Sequence, residues 1–394
     1  MKKYFLKKKI LVLNHSPIFG GATQSLLIYL RENIKYFNFI CLTPRGSSSR
    51  VFQENNIKTI TVFGFSQFNN NNFGFYAGWR WLVLIRELIF FIYNFFFILK
   101  YRLVNSKPDL ILLNDLTLLP SAILFSFFYN SKIISYVRSK QNINNKLRTK
   151  IQNYLIEKYI HKLIFIDEDV KKTMKVPKKT KQVKLYNSFY IQKKVKKNFG
   201  PDLNVGFVGN FTNSKGVELL INAITKLRFN KKSFFYIVGP IPSKPNMLER
   251  LLKYFRIREN YYELFKINEK KLAKNSRFVG FRYKLDSFYK KIDILIFPSY
   301  VSAAGRPVLE AACYGVPSLL TLFEKDKNDI IINYFNGLYV KNNSLNDLVN
   351  KILLLKKNKN LLKKLSRNAY SNSKKKFDIK KNKNIFKKIL IRSI

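Results

Sequence analysis

FPSYVSAAGRPVLEAACYGVPSLLT, residues 297–321, decides how this chain is read. It continues an apolar run of strand length, Ile292 to Phe297, and passes through a loop of small residues into a short helix and a second apolar run. Pro307 suits the first position of that helix, because the N–H it lacks would be unpaired there anyway. Gly315 and Pro317 stop the helix after about two turns. A strand feeding a helix N-terminus, with Gly305 letting a ligand approach the backbone, makes a site for an anion. Glu310, placed in the first turn, stands about 200° round the axis from Val308 at ~100° per residue. One face can therefore pack on a sheet while the carboxylate looks toward the loop. A carboxylate beside a phosphate site serves hydroxyls better than phosphates, which points to a nucleotide carrying a sugar.

Working toward the N-terminus, VGNFTNSKG at 208–216 repeats the arrangement: a strand, a glycine turn at Gly209 and Asn210, then a helix from Lys215 to Leu227. Its backbone amides and Lys215 can cradle a diphosphate; alone, Lys215 would be a solvated surface lysine. A third turn, Asn14-His15-Ser16 through Gly20-Gly21-Ala22-Thr23, follows the first strand. His15 is one of only 2 histidines, and either a structural or a catalytic role fits it. Arg138 closes the strand Ile133–Val137, and its planar guanidinium suits a phosphate or carboxylate better than a hydroxyl. Asn114-Asp115 closes another strand, as a cleft pair or a loop cap. Gly239-Pro240 and Gly280-Phe281-Arg282 are further strand-end turns.

Strands at Ile10–Leu13, Phe39–Leu42, Thr59–Phe63, Leu110–Leu113, Ile133–Val137 and Leu163–Ile166 alternate with helical stretches, including Gln24 to Leu30 and Ile151 to Tyr159. That alternation predicts a parallel, doubly wound sheet. Lys171 to Lys197 is lysine-rich and poorly periodic, and reads as a connection. Strands then restart at Val205–Val208, Phe234–Val238, Arg277–Val279 and Ile292–Phe297. The expected division is 1–188, a second α/β domain at 189–376, and a basic helix at 377–394 that packs back on the first domain.

A chain of 394 residues is comfortable as two domains. Its 47% hydrophobic and 15% aromatic content can bury substantial cores, which argues against global disorder despite a net charge of +50. Abundant lysine fits drift toward Lys, Asn, Ile, Phe and Tyr. The deficit of acids, 23 against 73 basic residues, fits that less well and predicts an electropositive surface. Cys41 and Cys313, far apart in apolar runs, argue for a reducing compartment and against a disulfide or zinc framework. The apolar run after the basic N-terminus is too short for a signal-peptide core. Leu82 to Leu99, with Trp79, Arg80 and Trp81 before it and Lys100 and Arg102 after, falls short of the ~18–20 apolar residues of a spanning helix. It reads equally as an interface-lying helix or a buried amphipathic one.

The segments at 297–321 and 208–216 together resemble the donor-site signature of retaining glycosyltransferases of family 4, the glycosyl transferases group 1. That pattern has Glu, seven residues, then Glu, with Gly three after the first Glu and a later Gly-x-Pro. Gly305, Glu310, Gly315 and Pro317 fall in register, while Ser302 stands where the first Glu belongs and Asn210 where Arg is common. The resemblance implies an α/β fold of the GT-B kind, two Rossmann-like doubly wound domains facing across a cleft, the first binding acceptor and the second the nucleotide-sugar donor. It implies a hexosyltransferase-like enzyme acting with retention. Lys215 would neutralise the departing diphosphate, Glu310 hold the ribose hydroxyls and Ser302 bond the sugar, with His15 and Arg138 toward sugar or acceptor. Gly20, Gly21, Gly209, Asn210, Gly305, Arg306 and Val308 would line the phosphates. No metal or other cofactor is expected. The implied partners are a nucleotide-diphosphate sugar, a glycan or lipid-linked acceptor of cell-surface polysaccharide or lipopolysaccharide, and an anionic membrane surface at the cytoplasmic face. A catalytically impaired relative serving as a binding or scaffold subunit is the alternative. A nucleic-acid-binding protein is disfavoured, since the basic residues are spread rather than gathered with exposed aromatics. The absence of G-x-G-x-x-G gives no support to a dinucleotide-dependent oxidoreductase.

Overall fold

The computed structural model describes residues 7–71, 82–191, 197, 199–227, 234–240, 242–254, 262–282, 284–301, 303–322 and 329–394. Trp79, Arg80, Trp81 and Ser302 lie outside them. The chain forms two units, Met1–Ser188 with Ile379–Ile394, and Phe189–Asp378.

The first unit carries β1 (Lys8–Leu13), α1 (Gly21–Asn33), β2 (Phe37–Pro44), α2 (Ser47–Glu54), β3 (Lys58–Val62), α3 (Val83–Val104), β4 (Leu110–Leu113), α4 (Leu119–Phe128), β5 (Lys132–Val137), α5 (Lys146–Tyr159), β6 (Lys162–Phe165), α6 (Glu168–Lys172) and β7 (Lys181–Lys184). The strands form a sheet in the order β3-β2-β1-β4-β5-β6-β7, all pairs parallel. Because side chains alternate across a strand, neighbouring residues enter different cores. Leu11 and Leu13 join Ile98 of α3, Phe125 of α4 and Ile156 of α5 on one face. Ile10 and Val12 join Leu26 of α1 and Phe52 of α2 on the other. A sheet covered on both faces reads as continuous apolar runs, which is why its inner strands are visible in the sequence.

The second unit carries β8 (Val205–Val208), α7 (Val217–Lys226), β9 (Phe235–Val238), α8 (Met247–Tyr254), α9 (Tyr262–Ile267), α10 (Glu269–Asn275), β10 (Ser276–Gly280), α11 (Asp286–Lys291), β11 (Ile294–Phe297), α12 (Arg306–Cys313), β12 (Ser318–Leu322), β13 (Gly337–Lys341), α13 (Leu345–Lys357) and α14 (Lys359–Lys376). Its sheet runs β10-β9-β8-β11-β12-β13, again parallel throughout. Val205, Phe207, Ile294 and Ile296 pack with Leu220 and Ile224 of α7 in its core. The last helix, α15 (Ile379–Ile391), returns to the first unit. There Phe386 packs its ring 5.0 Å from that of Tyr29, and Asn382 donates to Ser188 Oγ at 2.8 Å.

Three local expectations are corrected. Pro307 is the second residue of α12, Gly305 is its N-cap, and Glu310 therefore falls in the second turn. Helix α7 begins at Val217, because Asn213–Lys215 forms a separate 3-10 turn. The lysine-rich connection at 171–197 contains β7, a lysine-bearing edge strand paired with β6. Lysines there are a common way of keeping an edge from pairing further, and they masked its strand character.

Candidate functional site

In the second unit the strand order reverses direction between β8 and β11. At such a point the following loops part to opposite faces and leave a crevice beyond the carboxyl ends of the strands. Both sequence signals converge there. Gly216, in the left-handed region at φ 66°, precedes α7, and a Cβ on it would stand 1.8 Å from Pro298 O. Only glycine lets the turn after β8 lie this close to the loop after β11. Ser299 Oγ ties the same two loops by donating to Ser214 O at 2.7 Å.

Lys215 and the N-terminus of α12 flank one ring, that of Phe297 at the end of β11. The Lys215 Nζ sits 5.2 Å from its centroid, and a Cβ on Gly305 would meet its edge at 2.4 Å. Burial lowers the Lys215 pKa from its ordinary value, and no carboxylate among the described residues pairs with it. A half-buried cation without a counter-charge, beside a helix N-terminus, is built to receive an anion. Gly209 lets the lysine stem pass, and its own N–H is already given to Val238 O at 3.0 Å. Asn210 is exposed. Val308 is fully buried and its N–H goes to Gly305 O at 3.0 Å, so the valine holds the first turn closed.

Glu310 is held from two sides. Arg306 Nε donates to its Oε1 at 2.8 Å, and Tyr289 of α11 donates its hydroxyl to Oε2 at 2.9 Å. Arg306 in turn lies over the Phe189 ring at 4.5 Å. Tyr289 is buried, which together with the nearby carboxylate pushes its pKa well up, so it remains a donor. Its ring stacks on Tyr314 at 5.5 Å, and Tyr314 donates to Asp286 Oδ1 at 2.5 Å. An ionised carboxylate offers about four lone-pair positions; these two bonds use one on each oxygen and leave both oxygens able to accept from a diol.

In the first unit the reversal falls between β1 and β4, and a polar cluster occupies the strand ends. Asn114 Oδ1 accepts from Arg138 Nη2 at 2.7 Å and Nε at 3.0 Å, while Nε also donates to Asn114 O at 2.7 Å. Asn114 Nδ2 donates to Asn14 Oδ1 at 2.8 Å, which also accepts from Thr23 Oγ1 at 3.2 Å. Asn14 Nδ2 reaches Thr43 Oγ1 at 3.0 Å. Arg138 further donates to Asn187 Oδ1 at 3.2 Å and lies over the Tyr136 ring at 4.2 Å. Asp115 is a local cap, accepting from Thr117 N at 2.9 Å. His15 is half-buried, and its enclosed Nδ1 has no hydrogen-bond partner among the described residues. Gly20 is the N-cap of α1 and Gly21 its first residue.

Sequence reasoning missed Tyr289, Asn14 as the centre of the cluster, and Asn187. Tyr289 carries no local signal, since it lies on a short helix twenty-one positions from its partner. Asn14 and Asn187 were in view, one beside a histidine and one within a lysine-rich connection; an asparagine ending a buried strand was the available clue.

Two doubly wound parallel domains of this kind are the GT-B fold. Residues 189–372, within the second unit, match the family model described as Glycosyl transferases group 1. Among proteins, the chain is 29% identical over 215 residues to the uncharacterized glycosyltransferase MJ1178 of Methanocaldococcus jannaschii, covering 54% of this chain and 55% of that one. The matched stretch thus spans about half the length of that curated relative. It is also 27% identical over 112 residues to the O-antigen biosynthesis glycosyltransferase WclY of Escherichia coli, 28% of this chain and 26% of the relative. Among solved structures, Alr3699/HepE of Anabaena in complex with UDP and glucose matches with a TM-score of 0.72 at 16% identity, covering 98% of this chain and all of that one. Among the described residues no helix is long and apolar enough to cross a membrane.

Proposed function

We propose that this chain is a retaining glycosyltransferase that moves a sugar from a nucleoside-diphosphate sugar to a glycan or lipid-linked acceptor, in cell-surface polysaccharide or lipopolysaccharide synthesis at the cytoplasmic face of the membrane. The observation that carries the reading is Lys215: a half-buried cation with no carboxylate partner among the described residues, across the Phe297 ring from the N-terminus of α12. The UDP bound by the Anabaena structure supports the donor class, and the O-antigen relative supports the kind of product.

In this reading the bond from the anomeric carbon to the diphosphate breaks, and negative charge develops on the leaving oxygen. Lys215 and the positive end of the α12 dipole stabilise that charge. The acceptor hydroxyl attacks the same face and gives its proton to the departing phosphate. Glu310, fixed by Arg306 and Tyr289, receives the ribose hydroxyls. Purified wild type, Lys215→Ala and Glu310→Ala are to be compared for hydrolysis and transfer of UDP-sugars. Removing one stabilising donor costs about 100- to 1,000-fold in rate, and Lys215→Ala is expected to fall in that range. Equal rates in all three sink the enzyme reading and leave the non-catalytic one, for which Ser302 in place of an acid is the motive.

A further inference from the structure

The polarity of α3 is turned inside out. Its Glu87, Asn94 and Tyr101, spaced by sevens, face the first unit and are buried. Asn94 Oδ1 accepts from Ser66 N at 3.1 Å and its Nδ2 donates to Gly64 O at 2.7 Å. Glu87 Oε2 accepts from Gln67 N at 2.6 Å. The polar side chains thus hold the chain that follows β3, while Ile98 and Tyr101 enter the core.

The opposite face is apolar and exposed. Ile85 is 60% accessible, Leu88 61%, Ile92 51%, Phe96 62% and Leu103 80%. At ~100° per residue, these side chains with Ile89 and Leu99 share a sector of roughly 100° centred near Ile92. The 22 residues of α3 make a stripe about 33 Å long at 1.5 Å per residue. An apolar strip of that length on a surface marks a partner, since monomeric soluble proteins rarely leave one contiguous.

The charges flanking the strip select the partner. Lys100 and Arg102 fall about 80° to either side of Ile92 at ~100° per residue. Lys107 follows the helix, and all three are exposed. None makes an ion pair among the described residues. From 82 to 107 the sole acid is Glu87, turned inward and paired with Arg86. An apolar centre with basic margins, on a chain of net charge +50, complements acyl chains beneath anionic headgroups.

We infer that the outer face of α3 is a monotopic membrane-binding surface, with the helix lying along an anionic phospholipid bilayer and Ile85, Leu88, Ile92 and Phe96 inserted at the headgroup boundary. It rests on the membrane location proposed above and not on the sugar chemistry, so vesicle binding and donor turnover can fail separately. The full chain is mixed with vesicles of phosphatidylglycerol and phosphatidylcholine, or of phosphatidylcholine alone, and floated. Wild type is expected to float with the anionic vesicles and to be released by salt. Ile85→Ser/Ile92→Ser/Phe96→Ser is expected to bind at least about 100-fold more weakly with an unchanged melting temperature and unchanged donor turnover. Lys100→Glu/Arg102→Glu is expected to lose the preference for anionic vesicles. Wild type that ignores both vesicles, or a triple variant that floats like wild type, overturns the inference. So does a wild-type dimer that the triple variant turns into a monomer without any vesicle binding, which would give the face to a second copy of the chain.

Discussion

Replacing Tyr289 by Phe removes one oxygen from the second unit and nothing else of consequence. Tyr289 is 1% exposed, and Phe fills the same space, so no cavity forms. What disappears is the 2.9 Å bond to Glu310 Oε2. A hydrogen bond to a charged group contributes about 1.5–3 kcal/mol. The Glu310 side chain is 16% exposed and keeps Arg306 at 2.8 Å, so water and the guanidinium recover part of the loss, and we expect about 2 kcal/mol. For a domain of this size each kcal/mol moves the midpoint by roughly 2–4 °C, giving a fall of about 4–8 °C in the transition of the second unit. Glu310→Gln, which also strips Arg306 of its counter-charge, should cost as much or more. Because the two share one bond, the double variant should fall short of the sum by about 1–2 kcal/mol. Calorimetry on the four proteins decides it. A Tyr289→Phe midpoint within a degree of wild type, together with strict additivity, would refute the claim that the tyrosine holds the carboxylate in place. If the carboxylate is also the ribose clasp, UDP binding monitored by titration should weaken in Tyr289→Phe without any direct contact being lost.

Two further outcomes follow from the first unit. Asn114→Ala takes the Oδ1 acceptor from Arg138 Nη2 and the Nδ2 donor from Asn14 Oδ1, while Arg138 Nε keeps the backbone oxygen of residue 114, and should cost about 3 kcal/mol; N114D, which keeps the acceptors for Arg138, should cost less by thermal melting. Burial raises the phenols of Tyr29 and Tyr136, and raises Tyr101 to about 12. An unfolded phenol titrates near pH 10, so their contribution is intact below that pH and is lost as the pH climbs toward the folded values, at about 1.4 kcal/mol per phenol per pH unit. Urea midpoints measured from pH 8 to 11 should therefore hold steady and then drop, and a flat profile to pH 11 would contradict the burial of these hydroxyls.

The inner strands were legible because a sheet buried on both faces writes itself as apolar runs, as at Leu110–Leu113 and Ile294–Phe297. The strand ends were legible through their glycines, since the turns at Gly216 and Gly305 press against Pro298 and Phe297 and tolerate nothing larger. The edge strand β7 was hidden by its lysines, whose role is at the rim rather than in the core. Partnerships were not legible at all. Tyr289 with Glu310, and Asn114 with Asn14 and Arg138, are brought together by the topology over separations of twenty to a hundred positions, and nothing local marks the match. The face of α3 was ambiguous for a physical reason: periodicity shows which residues share a side, but not which side meets water.

The route of the backbone bears on how the molecule is made. The second unit is one unbroken segment, and its two ends meet, with Phe189 N donating to Phe377 O at 2.8 Å. The first unit is complete only when α15 arrives to cover Tyr29 and Leu26. During synthesis from the N-terminus, the half made second can therefore fold before the half made first. Until the final helix leaves the ribosome, the part of the apolar face around Tyr29 that it packs on stays uncovered, and a nascent chain stalled at Asp378 carries a complete second unit and an incomplete first one.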